Sequence, residues 1–362
     1  MSALPAIAVL AILILVHELG HFLAARLQGI HVNRFSIGFG PVLWKYQGEQ
    51  TEYALRAIPL GGYVGFPDDD EESKIPSDDP DLMKNRPIVD RAIVISAGVI
   101  ANFVFAYLVL LLMTVSVGVG TVDQPGVRIT KIIDPNAPAA IAGLQAGDIV
   151  LSANGIRFDT SLTTLDRFQS LISKNANQVV DLQVMRESEL RQVQISPVGE
   201  SGKGKIGVRL DFTGKPHRRP VASIAEAFDN ATQSFERLVI MTVQGLKQLA
   251  TNFQNTASQL SGPVAIVAMG SELVKSDASA LFDFTAIISI NLAIINILPL
   301  PALDGGQLVF LAIEALRGGK PLPEELQNNV MQGGLVLLLG LGVVMIFKDS
   351  FNLLQQSGLS PL

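Results

Sequence analysis

Four long stretches of this chain carry no charged residue, and no other feature limits its fold so strongly. They cover 92–122, 284–303, 330–347 and an N-terminal segment in which 2–16 are uncharged and Phe22 to Ala25 continue the apolar run. A helix needs about 20 apolar residues to cross a bilayer core of about 30 Å, so each stretch predicts one membrane span. Composition agrees: 48% of the residues are hydrophobic before 32 glycines in 362 are counted, whereas soluble domains reach roughly 45–50% with glycine included. A cleaved signal peptide carries basic residues ahead of its apolar segment. The first basic side chain here is Arg26, so the first span is read as a retained anchor.

Charge then orients the spans. Arg26, Arg34, Lys45, Arg56, Lys74, Lys84, Arg86 and Arg91 lie between spans one and two, and Arg317 and Lys320 lie between spans three and four. Short loops rich in Lys and Arg stay in the cytoplasm. The N-terminus and residues 123–283 are therefore expected outside. Overall, 27 Lys and Arg face 33 Asp and Glu, a net charge of −6. That balance lacks the basic excess that nucleic-acid binding requires. The absence of cysteine excludes disulfides, iron–sulfur clusters and Cys-ligated zinc, so any metal must rest on carboxylates and the four histidines.

Residues 126–210 alternate apolar and polar side chains in short runs, such as Val127-Arg128-Ile129-Thr130-Lys131-Ile132, and predict a small β-rich domain. Between the runs, Pro138-Ala139-Ala140-Ile141-Ala142-Gly143-Leu144 leads through Gly147-Asp148 to Asn154-Gly155, which is a short helix, a strand and a tight turn. These landmarks resemble a PDZ domain, a module that captures an extended peptide at a strand edge. Beyond it, residues 222–250 have helical apolar periodicity broken by Glu236, Arg237 and Lys247. The stretch is too interrupted to span and is expected as an amphipathic helix on the outer membrane surface. In the cytoplasmic loop, 41–47 and 51–58 read as strands joined by a Gly-containing turn, a β-hairpin at the inner face of the membrane. The acidic run from Asp68 to Glu72 reads as a solvated loop.

The chemistry lies within the apolar segments. His17-Glu18-Leu19-Gly20-His21 sets two imidazoles four residues apart on one helical face, with a carboxylate beside them. Charged side chains at the bilayer centre cost roughly 2.5–3.5 kcal/mol each, so an apolar span holds such a group for a use. Catalytic zinc takes three protein ligands and a water. His31 and His217 lie outside the spans and read as surface residues; Asp304, which follows Asn296-Ile297-Leu298-Pro299-Leu300-Pro301-Ala302-Leu303, is the better third ligand or else an N-cap. Spans one and three both run inward, which carries His17, His21 and Asp304 to the same half of the membrane.

The H-E-x-x-H in an N-terminal span and the N-x-x-P-x-P-x-L-D-G element resemble the site-2 protease family of intramembrane zinc metalloproteases, and the order of spans resembles its bacterial regulator-of-sigma-E branch. The resemblance implies a four-span polytopic α-helical membrane protein with a membrane-associated β region and an inserted extracytoplasmic PDZ domain of α+β type. Its expected segments are 1–27 (first span), 28–87 (cytoplasmic loop with the hairpin), 88–122 (second span), 123–212 (PDZ domain), 213–283 (outer linker and amphipathic helix), 284–304 (third span), 305–327 (cytoplasmic connection), 328–348 (fourth span) and 349–362 (tail). It implies Zn2+ on His17, His21 and Asp304, with Glu18 as catalytic base. Asn296 and Asn102 are implied as substrate-binding residues. Asn102 is equally readable as an interhelical hydrogen-bonding residue.

The family's G-P-x-x-N element stands here as Gly98-Val99-Ile100-Ala101-Asn102, without its proline, and there is room for one PDZ domain where enterobacterial members carry two. The implied activity is hydrolysis of peptide bonds within transmembrane segments. The substrates would be single-span proteins such as anti-sigma factors, trimmed first by another protease, in a bacterial inner or organellar membrane. A PDZ-bearing membrane adaptor, a catalytically inactive homologue and a metal transporter are the alternatives.

Overall fold

The computed structural model describes residues 4–70, 73, 75–199, 203–256, 260–276 and 278–356. Helix α1 (Leu4–Leu27) leads into two long strands, β1 (Arg34–Gln47) and β2 (Glu52–Gly65), and then α2 (Ile88–Val117). The β-rich part comprises β3 (Val119–Thr121), β4 (Val127–Ile132), α3 (Pro138–Ile141), β5 (Ile149–Ala153), β6 (Ile156–Arg157), α4 (Thr164–Lys174), β7 (Val180–Arg186), β8 (Glu189–Ile195), β9 (Val208–Phe212) and β10 (His217–Arg219). The remainder is helical, with α5 (Ile224–Thr251), α6 (Phe253–Thr256), α7 (Pro263–Ser276), α8 (Ala278–Asn296), α9 (Asp304–Leu316) and α10 (Glu324–Gln356). The chain divides into two compact units, Met1–Met113 with Phe228–Leu362, and Thr114–Ala227.

In the first unit α1, α2, α8 and α10 are long and apolar enough to cross a membrane. The third apolar stretch outlasts its helix. It runs to Leu303, but α8 ends at Asn296, because Pro299 and Pro301 supply no amide hydrogen and disfavour helical geometry in the residues before them. Helix α10 does the opposite and extends beyond 330–347 at both ends. Helix α7 was not expected. Within the segment read as an outer linker, α7 opens with Pro263 at its first turn, where a missing N–H costs nothing. Its exposed amides are capped from a distance: the buried Asp349 of α10 accepts from Gly262 N at 3.3 Å and Ala265 N at 2.9 Å. Within the expected cytoplasmic connection, 304–316 forms α9.

The amphipathic helix α5 has helix contacts on its apolar face that the sequence did not announce. Phe235 packs edge-on against Phe103 and Tyr107 of α2, and Thr242 Oγ1 donates to Asn291 Oδ1 of α8 at 2.7 Å. Helix α5 therefore touches α2 and α8 through these side chains. Amphipathicity requires that one face be covered by something apolar, and here helices supply part of the cover where a lipid surface was expected.

The two strands of this unit are bent, and each pairs in more than one place. Residues 42–47 lie antiparallel to 52–56, which forms the expected hairpin, with Gly48 N bonded to Thr51 O at 2.9 Å across its turn. Residues 34–37 lie parallel to 52–55 on one side and antiparallel to 62–65 on the other. The order of segments is thus 42–47, 52–56, 34–37, 62–65, and segment 62–65 is an edge. Phe22 of α1 stacks edge-on with Phe35 and Tyr53, at ring separations of 5.1 and 6.0 Å, and so fixes this sheet to the helix bearing the His-Glu-x-x-His sequence.

The second unit is a sheet of order β8-β7-β5-β4-β9 with β6 beside β5. Val127, Ile129, Val150, Leu182, Val184 and Phe168 are buried in its core. Asn154 and Gly155 take φ of 47° and 78°, the left-handed pair that a two-residue hairpin turn requires. Strand β9 is an edge, with α4 beside it. The buried Asp148 is held by Arg186 through Nε at 2.7 Å and Nη2 at 2.8 Å, and by Gln145 N at 2.8 Å. Burial alone would raise the pKa of this carboxyl; the Arg186 guanidinium and the Gln145 amide overcome that and hold it below the usual carboxylate range.

Because the folded pKa lies below the unfolded one, the stabilisation is complete above the ordinary carboxylate range and is lost as pH falls through the depressed folded value. Removing one partner of such a pair leaves an uncompensated charge and costs about 3 kcal/mol or more. Arg186→Ala is therefore expected to lower the melting temperature of this unit at neutral pH and to flatten its acid dependence. A variant that melts like the parent from neutral pH down would show the pair to be inert.

Candidate metal centre

Helix α1 can approach α2 closely because the facing residues are small. A Cβ on Gly20 would lie 2.4 Å from the Ala97 carbonyl oxygen and 2.8 Å from Ala101 Cβ. At this contact His17 and His21, one turn apart, both face α2. Their rings meet edge-on with centroids 4.7 Å apart, and their Nε2 atoms are 3.2 Å apart. The third donor arrives from the other end of the sequence. After α8 stops, Ala302 takes φ 68°, Leu303 is extended at the N-cap position, and Asp304 is the first residue of α9. The Asp304 side chain does not cap the helix. Its Oδ2 lies 3.3 Å from His17 Nε2 and 3.5 Å from His21 Nε2.

These three donors lie within 4.8 Å of one another. Asp304 Oδ2 is buried and carries no hydrogen bond, a costly condition for a carboxylate oxygen unless a cation balances it. His21 Nδ1–H donates to the Val94 carbonyl at 2.8 Å, which leaves the lone pair on Nε2, the atom facing Asp304. Two imidazoles and a carboxylate with no thiolate form a borderline donor set of the kind zinc accepts, and three protein ligands leave a position open for chemistry. The residues present fit a catalytic zinc.

The surroundings hold this arrangement. Gly98 of α2 faces both rings, and a Cβ there would lie 2.3 Å from His21 Nε2 and 2.8 Å from His17 Cε1. Arg91 of α2 forms a buried two-pronged ion pair with Glu314 of α9, with Nη1 3.0 Å from Oε2, and so ties the helix that begins at Asp304 to the helix that supports His21. Glu18 is half-buried beside the ligands. A Cβ on Gly62 would lie 2.8 Å from Glu18 Cγ, so edge segment 62–65 runs directly past the carboxylate.

The two asparagines differ. Asn296 Nδ2 lies 3.2 Å from His17 Nε2, on the side where the donors converge, and the residue is half-buried. Asn102 is 0% exposed, with Nδ2 3.3 Å from His17 Nδ1 on the far side of that ring. His31 and His217 stand apart from these donors. His31 lies 3.5 Å from Asp79, close to Asp81, but Asp79 Oδ1 already accepts from Asp81 N and Asp81 pairs with Arg86 at 3.0 Å. His217 is exposed 3.4 Å from Asp123. The sequence marked Gly98 only as the start of the element resembling G-P-x-x-N, without its contact to the two rings, and offered no signal for the Arg91–Glu314 tie, which joins residues 223 positions apart.

Comparison with known proteins agrees with the geometry. A model of "Peptidase family M50" matches residues 5–341. The "Putative zinc metalloprotease all3971" of Nostoc sp. is 57% identical over 357 residues, covering 98% of each chain. The "Membrane metalloprotease ARASP, chloroplastic" of Arabidopsis thaliana is 44% identical over 355 residues, covering 97% of this chain and 79% of the relative. The "Regulator of sigma-E protease RseP" of Escherichia coli is 29% identical over 445 residues, covering 95% of this chain and 97% of the relative. Matched along nearly its whole length, the chain belongs to peptidase family M50, the site-2 protease family of zinc metalloproteases.

Proposed function

We propose that the chain hydrolyses peptide bonds within the transmembrane segments of other membrane proteins, with His17, His21 and Asp304 as zinc ligands and Glu18 as general base. One observation carries this reading: the three donors converge around an unsatisfied buried carboxylate oxygen, with a second carboxylate between them and an open strand edge. When bound, zinc supplies Lewis acidity to a carbonyl oxygen and to water.

The chain's own residues account for the rest. A transmembrane helix satisfies its carbonyls internally, so a substrate must unwind and its freed main chain must find new partners. Edge segment 62–65 offers such a main chain beside Glu18. The Glu18 carboxylate takes a proton from the attacking water; as the C–N bond breaks, the same proton passes to the leaving nitrogen. Asn296, at the rim of the donors, is placed to bind the substrate main chain.

The second unit is read as a PDZ domain, with β9 and α4 forming the side that meets a peptide. Positive-inside asymmetry supports the loop around position 70 as cytoplasmic and the PDZ unit as extracytoplasmic. The substrates are read as single-span membrane proteins such as anti-sigma factors, trimmed first by another protease, and the location as a bacterial inner or organellar membrane; a membrane metalloprotease and a regulator of sigma-E protease among the relatives are consistent with this.

The test is co-expression with tagged single-span membrane proteins, comparing the intact chain with Glu18→Gln. Expected is at least one partner shortened within its span only when Glu18 is present, together with reporter fusions that read inside at 70 and outside at 160. Shortening that persists without Glu18, or a reporter at 70 that reads outside, would overturn the mechanism.

A further inference from the structure

Both histidines must present a lone pair at Nε2 to share one metal, which places the ring proton of each on Nδ1 and requires an acceptor for it. His21 has the Val94 carbonyl, at 2.8 Å. For His17 the polar group on the Nδ1 side is the amide of Asn102, 3.3 Å away. That amide is fully enclosed, and its Oδ1 is buried without a hydrogen bond. The two ends of an asparagine amide are nearly equal in shape, so turning the amide over brings Oδ1 to His17 Nδ1 with little change in packing. Asn102 is itself braced, since its main-chain carbonyl accepts from Ser289 Oγ at 2.8 Å. Through these bonds one residue links α1, α2 and α8.

We infer that Asn102 is a positioning residue for the metal: its Oδ1 accepts the Nδ1 proton of His17, which fixes the ring's tautomer and aims Nε2 at the cation. The inference rests on the zinc-site reading above and replaces a substrate contact for Asn102, because a side chain with no exposed surface cannot touch a substrate. The acceptor explains why an amide suits the position. As the neutral counterpart of the carboxylate that often backs a metal-bound histidine, it orients the ring without adding buried charge.

The test uses the purified full-length protein and measures zinc affinity by competition with a chromophoric chelator, beside kcat and KM. Loss of such a supporting partner weakens metal binding by roughly 10–100-fold, and that loss is expected for Asn102→Leu. Asn102→Asp, which keeps an acceptor, is expected to bind zinc as well as the parent. If Asn102→Leu fails to fold, Asn102→Ala carries the same expectation. Parent-like zinc affinity in the Leu or Ala variant with only KM raised would overturn the inference and restore a substrate role; equal loss in the nearly isosteric Asp variant would overturn it by showing that the site requires the amide N–H and not the acceptor oxygen. His17→Ala separates the two levels. If that variant retains zinc, the metal site itself is wrong, whereas if it loses zinc while Asn102→Leu does not, only the role of Asn102 falls.

Discussion

Glu18→Gln is expected to keep close to one zinc per chain and to lose cleavage by about 10²–10⁴-fold, the range that a positioned general base contributes. The substitution is nearly isosteric, and Glu18 is not among the three converging donors, so the metal should stay. An amide cannot take a proton from water at neutral pH. Replacing a ligand has the opposite signature: His17→Ala, His21→Ala and Asp304→Ala each leave two protein donors where a catalytic zinc needs three, so metal and activity should disappear together. Elemental analysis and a cleavage assay on the same preparations separate the two classes. Glu18→Gln cleaving within tenfold of the parent would require a different base, and His17→Ala with undiminished zinc would require a different site.

What could be read from residue order alone follows a physical pattern. A span needs only a long apolar stretch, and a shared helical face needs only the spacing of His17 and His21, so both were legible locally. Asp304 required one further step, the common direction of spans one and three. What stayed hidden depends on partners distant in sequence. The periodicity of α5 fixes the existence of an apolar face but not its cover, and Phe103, Tyr107 and Asn291 supply cover that a lipid surface was expected to give. Helix α7 was missed because Gly262-Pro263 signals a stop and a start equally well, and only the capping Asp349 decides which. The bent strands hid for a similar reason: 41–47 and 51–58 announce a hairpin, while the insertion of 34–37 between 52–55 and 62–65 leaves no mark on alternation. Asn102 was undecidable, since a buried amide facing a ligand and an amide facing a substrate look identical in sequence.

Gly98→Ala is expected to abolish the metal site while leaving the fold intact. The added Cβ would sit 2.3 Å from His21 Nε2, 2.6 Å from His21 Cε1 and 2.8 Å from His17 Cε1, all too close for carbon, so the rings must move. A free imidazole would swing away at little cost. These are not free, because His21 Nδ1 is bonded to the Val94 carbonyl and His17 Nδ1 faces the enclosed Asn102. Displacing either ring breaks a buried hydrogen bond at about 1–3 kcal/mol and turns Nε2 off the point of convergence. The helix itself benefits from the change, since alanine is favoured over glycine in a helix interior by roughly 0.5–1 kcal/mol. The lost hydrogen bond outweighs this gain, so a modest fall in stability with the fold retained should accompany a far larger loss of metal binding, a pattern that general misfolding does not produce. Zinc affinity is expected to fall at least about 100-fold, beyond the loss of one supporting partner, while helical circular dichroism remains that of the parent. Gly340→Ala provides the control, because a Cβ there meets nothing within 4 Å, and its zinc content should not change. A Gly98→Ala protein that holds zinc like the parent would mean that the two rings do not bring their Nε2 atoms together beside Asp304 Oδ2.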